Sequence, residues 1–222
     1  MEIIYRYPGG TMKRTAYILL GAWCLLLPLI FMGCGDGSGS PGSRGSEDTG
    51  VIVDAIIVPT YLGANTNSVD AFQDICDPGP PPEAEVFTTH SATVTFTARL
   101  INPDPTIQPG TLYVEEYTIR YFRNNDSIGA PPIETDKEFK TIIITPPLEG
   151  TGTTTISDTV FFVNLVRKDK YAEDMLSGQY SSSLAFINDY TAIYTFKGKN
   201  EYGEDFKIEA QVEFEIGNFD NC

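Results

Sequence analysis

The sequence predicts an all-β protein, an antiparallel β-sandwich of about seven strands with one short helix. Three observations carry this reading. Residues 92–100, 190–197 and 206–216 alternate between apolar and polar side chains, the period of a strand with one buried face. Clusters of Pro, Gly, Asn and Asp separate the β-rich runs. Only one stretch, 169–178, has a convincing helical pattern.

In chain order, Val51 to Leu62 is rich in Val and Ile and reads as the first strand. Three prolines, Pro80 to Pro82, forbid a central strand after it. Ala92 to Leu100 alternates and is half-buried. Tyr113 to Phe122 follows, with Tyr117, Ile119 and Tyr121 on one face and Glu116, Thr118 and Arg120 on the other. Asn124 to Ser127 turns the chain, and Phe139 to Ile144 and Thr154 to Val166 are the next two strands. A helix is expected over Asp169–Gly178, capped by Asp169, ended by Gly178, and burying Tyr171, Met175 and Leu176. It is too short to stand alone and should bridge the sheets. In the last hairpin, Tyr190, Ala192, Tyr194 and Phe196 face inward, Asn200 to Gly203 turn, and Phe206 to Ile216 return with a Glu-rich outer face.

Ahead of this domain lies an address. Met12-Lys13-Arg14 supply positive charge, Ala16 to Met32 are almost wholly apolar, and Gly33-Cys34 close the segment. A Gly/Ser-rich tether that cannot bury a core begins at Cys34 and runs to residue 50. Residues 12–34 resemble the bacterial lipoprotein signal, which implies cleavage after Gly33, lipid on Cys34 and attachment to a membrane. Phe31 and Met32 depart from the Leu and Ala/Ser that this pattern usually carries. Gly35 after Cys34 implies the outer rather than the inner membrane. The alternative is an uncleaved anchor over Ala16–Met32, at the short limit for a span and interrupted by Pro28. Cys24, followed by more leucines and no tether, is a poorer lipidation site. Residues 1–11 precede the basic start and are read as a mis-called beginning, with initiation at Met12. The organisation is therefore 1–11 upstream, 12–33 signal, 34–50 tether and 51–222 sandwich.

Beyond residue 34 the chain has 12 basic and 29 acidic side chains, a net charge of −17. Such a chain repels nucleic acid and attracts cations or basic proteins, and the charge also serves solubility. Two cysteines remain after the signal, Cys76 and Cys222, the number for one disulfide in an oxidising compartment. The alternative is two separate thiols. No Cys-x-x-Cys motif is present.

Residues 194–203, Tyr-Thr-Phe-Lys-Gly-Lys-Asn-Glu-Tyr-Gly, resemble the final hairpin of the immunoglobulin-like domains carried by bacterial envelope lipoproteins. The resemblance implies an immunoglobulin-like sandwich and offers Tyr190 as a tyrosine-corner residue, against a plain core tyrosine. The paired core cysteines and core tryptophan of antibody domains are missing; Trp23 lies in the signal.

Catalytic chemistry finds little support. His90 is the only histidine and is expected to face solvent at a strand edge. One histidine excludes HExxH zinc sites, and there is no Gly-x-Ser-x-Gly elbow for a triad. Calcium has candidate ligands in Asn200, Glu201, Glu204 and Asp205, and in Asn218, Asp220 and Asn221, although turn chemistry explains both clusters. The sequence thus points to a lipid-anchored, non-catalytic binding or structural module of the cell envelope, with a protein or glycan partner. A calcium-stabilised adhesion-like domain and a carboxylate hydrolase are the alternatives.

Overall fold

Long alternating strands bury one face only when a second sheet covers it, and the computed structural model shows that arrangement. It describes residues 49–77, 83–102, 104, 108–124, 129–180 and 186–219. Seven long strands, four short ones and one helix occur among them. The long strands are β1 (Val51–Tyr61), β6 (His90–Leu100), β7 (Leu112–Arg123), β8 (Asp136–Ile144), β9 (Thr153–Val163), β10 (Asn188–Asn200) and β11 (Asp205–Gly217). The short ones are β2 (Ala64–Asn65), β3 (Ser68–Asp70), β4 (Ile75–Asp77) and β5 (Glu83–Ala84).

One sheet runs β2-β1-β6-β9 and the other β3-β11-β10-β7-β8, with β4-β5 a separate hairpin. All long pairs are antiparallel. The sequence did not signal β3, which adds parallel to β11 and covers its outer edge. Its Asp70 is buried and accepts from the backbone N–H of Phe72 and of Phe219, both at 3.2 Å.

The expected inner faces are the observed core. Val53, Val94 and Phe96 from one sheet meet Ile119, Tyr194, Phe196 and Phe214 from the other. Phe96 meets Phe196 edge-on at 5.0 Å between ring centres, and Phe162 meets Phe214 at 4.8 Å.

Tyrosine hydroxyls tie the sheets together. β9 is an edge strand, so its outward backbone groups lack a neighbouring strand. Tyr194 donates to the Phe161 carbonyl at 2.7 Å, Tyr121 donates to the Phe162 carbonyl, and the Phe161 N–H donates to Tyr117 Oη at 3.0 Å. All three tyrosines belong to the facing sheet.

The helix differs from expectation at its start. The α1 helix spans Leu165–Leu176, with Asn164 as its cap, accepting from Arg167 N at 3.0 Å. β9 therefore stops at Val163, short of the Val166 read from apolar content, and Asp169 lies inside the helix. Gly178 follows the end as expected, with φ +73° suiting the left-handed exit. Tyr171 and Met175 are buried, but Leu176 is exposed and Lys168 takes the third inward place. Arg167 and Asn164 together lock the helix start to β8: Arg167 Nε donates to Asp136 Oδ1 at 3.1 Å, and Asn164 Nδ2 donates to Oδ2 at 3.2 Å.

Tyr190 is fully buried, and its hydroxyl donates to the Pro131 carbonyl in the β7–β8 connection. A tyrosine corner would bond a few residues upstream, so the geometry is that of a core tyrosine holding a distant loop. Tyr171 has the larger organising role at the β9–β10 crossing. Its oxygen lies 2.8 Å from the Phe186 carbonyl, 3.0 Å from that of Ile216, and accepts from Asn188 Nδ2 at 2.6 Å.

Tyr194→Phe keeps the ring but leaves the Phe161 carbonyl unpaired, and should cost about 1–3 kcal/mol in urea unfolding. Phe196→Ala should cost about 3–5 kcal/mol through the cavity it opens. A Tyr194→Phe protein as stable as wild type would show that the hydroxyl contributes nothing.

Candidate functional site

Two places combine polar side chains in ways a plain sandwich does not require. They lie at opposite ends of the domain, because β10 runs from the α1 end to the last hairpin.

The first is an open groove of about 390 Å³ on the outer side of the five-stranded sheet, lined by Glu115, Glu116, Lys197, Gly198, Asp205, Phe206 and Lys207. It follows from a bulge. The β10–β7 register pairs Lys197 with Glu116 and then Gly198 with Val114, so Glu115 is the extra residue. The β7–β8 register shifts at the same point. Only glycine fits opposite the kinked strand, since a Cβ on Gly198 would stand 1.8 Å from the Tyr113 carbonyl oxygen. Glu116 pairs with Lys137 at 2.6 Å and Lys207 with Glu209 at 2.6 Å. Lys197 and Glu115 are both exposed, and no ion pair engages them among the described residues.

The calcium candidates sit beside this groove, where Asn200 and Glu204 are engaged in the turn. Asn200 is buried, and its Oδ1 accepts from the backbone N–H groups of Tyr202 (3.0 Å) and Glu204 (2.9 Å). Its Nδ2 donates to Glu204 Oε2 at 2.7 Å. Glu201 and Asp205 are exposed, and Asp205 lies 3.7 Å from Lys199 Nζ. Among the described residues no three His, Cys, Asp or Glu side chains are grouped to hold a metal ion. Asp220 and Asn221 lie outside the described residues, as do Cys34 with its signal and Cys222. Cys76 lies in β4. No helix among the described residues is long and apolar enough to cross a membrane.

The second place is a buried ionic and aromatic cluster at the α1 end. His90 corrects the solvent-facing expectation: it is 1% exposed. Counting back by two from Ala92 puts it on the inward face of β6, and its ring stacks on Tyr61 at 4.1 Å with the planes 6° apart. Lys168 is 0% exposed, with its Nζ 4.3 Å from the Phe87 ring centre and 5.2 Å from that of Tyr61. Its Nζ has no hydrogen-bond partner, nor has His90 Nδ1. Asp70 and Glu85 supply the compensating negative charge. The Tyr61 hydroxyl donates to the Val86 carbonyl.

These surroundings shift both bases. Burial, then the Lys168 cation, push the His90 imidazole down to about 3, against a pull upward from the Ser68 backbone. Burial also pushes the Lys168 ammonium down to about 8, opposed by Asp70, Glu85 and Asp169. A hidden lysine signalled itself only through its place: 168, 171 and 175 share one helix face.

Comparison with family models, with characterised proteins and with solved structures finds no match for this chain. What the two sites do must therefore be read from their own chemistry.

The cluster sets the alkaline behaviour of the domain. The folded protein holds Lys168 below its unfolded value of 10.5, so the unfolded chain binds more protons between pH 8 and 10.5 and stability rises with pH there. Buried tyrosines act in the opposite sense. Burial pushes Tyr117 and Tyr171 up to about 12, so their contribution is lost as pH rises above the unfolded value of 10. Lys168 gives a gain of about 2 kcal/mol between pH 8 and 10, and stability should peak between pH 9 and 10, where the five core tyrosines begin to outweigh it. Lys168→Met should be at least as stable as wild type at pH 7 and lack that gain, as measured by urea unfolding across the range. Equal slopes in the two proteins would show that Lys168 is not the group responsible.

Proposed function

We propose that this chain is a lipid-anchored, non-catalytic binding module of the bacterial cell envelope, built on an immunoglobulin-like sandwich. The observation that carries the binding reading is the groove at the Glu115 bulge. It is open, mixed in charge, and formed by a backbone irregularity that Gly198 makes possible. Bulges of this kind re-aim side chains, and here one places Glu115 and Lys197 without internal partners at the surface.

The strand order supports the immunoglobulin-like assignment. β1, β6 and β9 take the places of strands A, B and E, and β11, β10, β7 and β8 those of G, F, C and C′. The non-catalytic reading is supported by how the buried polar groups are engaged. Five core tyrosines and Asn200 hold backbone or turn groups, and the single histidine is walled in.

The partner is a protein or glycan that presents both charges to the groove. A photo-crosslinking residue in place of Glu115 should trap a discrete adduct in living cells, and the same residue in place of Glu213, on the outer face of β11, should not. No adduct at Glu115, or equal smears at both positions, would remove the groove from the reading.

Anchoring rests on Cys34, which ends the apolar segment and precedes the tether. Metabolic labelling with a palmitate analogue should tag wild type and miss Cys34→Ala; equal labelling of both contradicts the anchor. The domain is further proposed to be closed by a Cys76–Cys222 disulfide. Cys76 and Cys222 are the two cysteines left after the signal, and an exported domain meets an oxidising compartment, which favours the bridge over separate thiols. A loop of this length gives roughly 5 kcal/mol in the chain-entropy model, reduced in practice to about 2–4 kcal/mol. Non-reducing peptide mapping of periplasmic protein should recover the linked pair, whereas two free thiols would refute it.

A further inference from the structure

The buried cluster does more than fill the α1 end, because it is also where the chain segment leading into β6 is held. Residues 83–89 form little regular structure: β5 is two residues long and pairs only with β4. Glu83, Ala84, Val86 and Thr88 are exposed, whereas Glu85 is buried. The anchors are few. Glu85 N donates to the Asp74 carbonyl at 3.1 Å, Gln73 Nε2 reaches the Glu85 carbonyl at 3.3 Å, and Tyr61 donates to Val86. Phe87 lies over the Lys168 ammonium, and His90 closes the segment by stacking on the same Tyr61 ring. Glu85 is thus held by the β4 side, and beyond it Val86 and Phe87 are held by Tyr61 and Lys168, the two side chains that also face His90.

That group accommodates a neutral imidazole and rejects a charged one. His90 is faced by Tyr61 of β1, by the Ser68 backbone of β3 and by the Lys168 cation of α1. Lys168 in turn faces Asp70 of β3, Glu85 of the segment itself and Asp169 of its own helix. The carboxylates act on Lys168 and none of them acts on His90, whose Nδ1 has no hydrogen-bond partner among the described residues to accept from a second N–H. A second cation beside Lys168 is compatible only with an imidazole that has moved into water.

We propose that residues 86–89 are an acid-released strap: protonation of His90 breaks its stack on Tyr61 beside Lys168 and frees these residues from the α1 end, while Glu85 stays held by Asp74 and Gln73. This end is the one remote from the tether, since Val51 pairs with Leu100 at the other end of β6. Release therefore changes the part of the domain that lies farthest from its attachment. The device is independent of the groove, which lies at the tethered end.

The sign and size follow from linkage. The closed form holds His90 near 3, and the open form returns it to about 6.5, so stability of the closed strap is complete above pH 6.5 and lost as pH falls toward 3. Between pH 7.0 and 4.5 the opening constant should rise by roughly 80-fold. The test is hydrogen exchange on the full chain in detergent micelles, with rates normalised to the intrinsic rate at each pH. Amides of residues 86–90 should open roughly 80-fold more at pH 4.5, while β10 and β11 keep their protection. His90→Phe keeps a ring on Tyr61 and cannot titrate, so its strap should exchange equally at both pH values; His90→Gln gives the same reading if the phenylalanine protein does not fold. Equal strap opening at both pH values in wild type, an unchanged pH response in the variants, or simultaneous loss of protection throughout the domain would each overturn the proposal.

Discussion

A hydrogen bond from a buried tyrosine hydroxyl to the backbone of the facing sheet is the constraint on which this fold depends. Two twisted sheets can slide over each other at little cost when only methyl groups and rings meet. Directional bonds remove that freedom. Tyr117, Tyr121 and Tyr194 reach the same two residues of β9, Phe161 and Phe162. They fix the lateral position of the sheets and also supply partners for a strand edge that has no neighbouring strand. Tyr171 and Tyr190 extend the device to the α1 crossing and the β7–β8 connection. The rings of Phe96, Phe196, Phe162 and Phe214 then pack in a geometry already set.

With the interior ordered in this way, the two polar sites become intelligible as departures from it. The groove exists because one residue too many enters β7, and only Gly198 lets β10 follow the kink. The cluster exists because α1 turns a lysine inward where leucine would pack, and aromatic faces and distant carboxylates partly replace the water it loses. One departure leaves charges at the surface near the last hairpin. The other hides charges at the remote end, where their balance changes with pH. On the function proposed above, the first feature would meet a charged partner and the second would respond to acidification.

The strands were legible because each long strand has a wet face and a dry face, which writes a period of two into the sequence. Tyr190, Ala192, Tyr194 and Phe196 needed no further information. His90 was legible by the same count from Ala92, but the chemical expectation for a lone histidine beside Thr89 and Ser91 overrode it. The start of α1 was obscured because Leu165 and Val166 prolong the apolar run of β9, while the signal that stops it, Asn164 as a cap, is one residue. Lys168 was hidden by its type: a helix pattern that counts lysine as polar has no place for a buried ammonium. Short β3 and the bulge at Glu115 depend on partners far along the chain, which no local pattern encodes. The asparagine of the last hairpin was legible as a turn residue, and its bonds to Tyr202 and Glu204 are those of a turn.

The most direct test of the sheet-locking role of the tyrosines is residue-resolved amide exchange along β9 in Tyr117→Phe. In the wild-type fold the Phe161 N–H donates to Tyr117 Oη and has no strand neighbour on that side. The variant should lose at least ~10-fold of protection at Phe161, about 1.4 kcal/mol, with β6 and β10 amides unchanged. Undiminished protection at Phe161 would contradict the claim that tyrosine hydroxyls hold the edge of the sandwich.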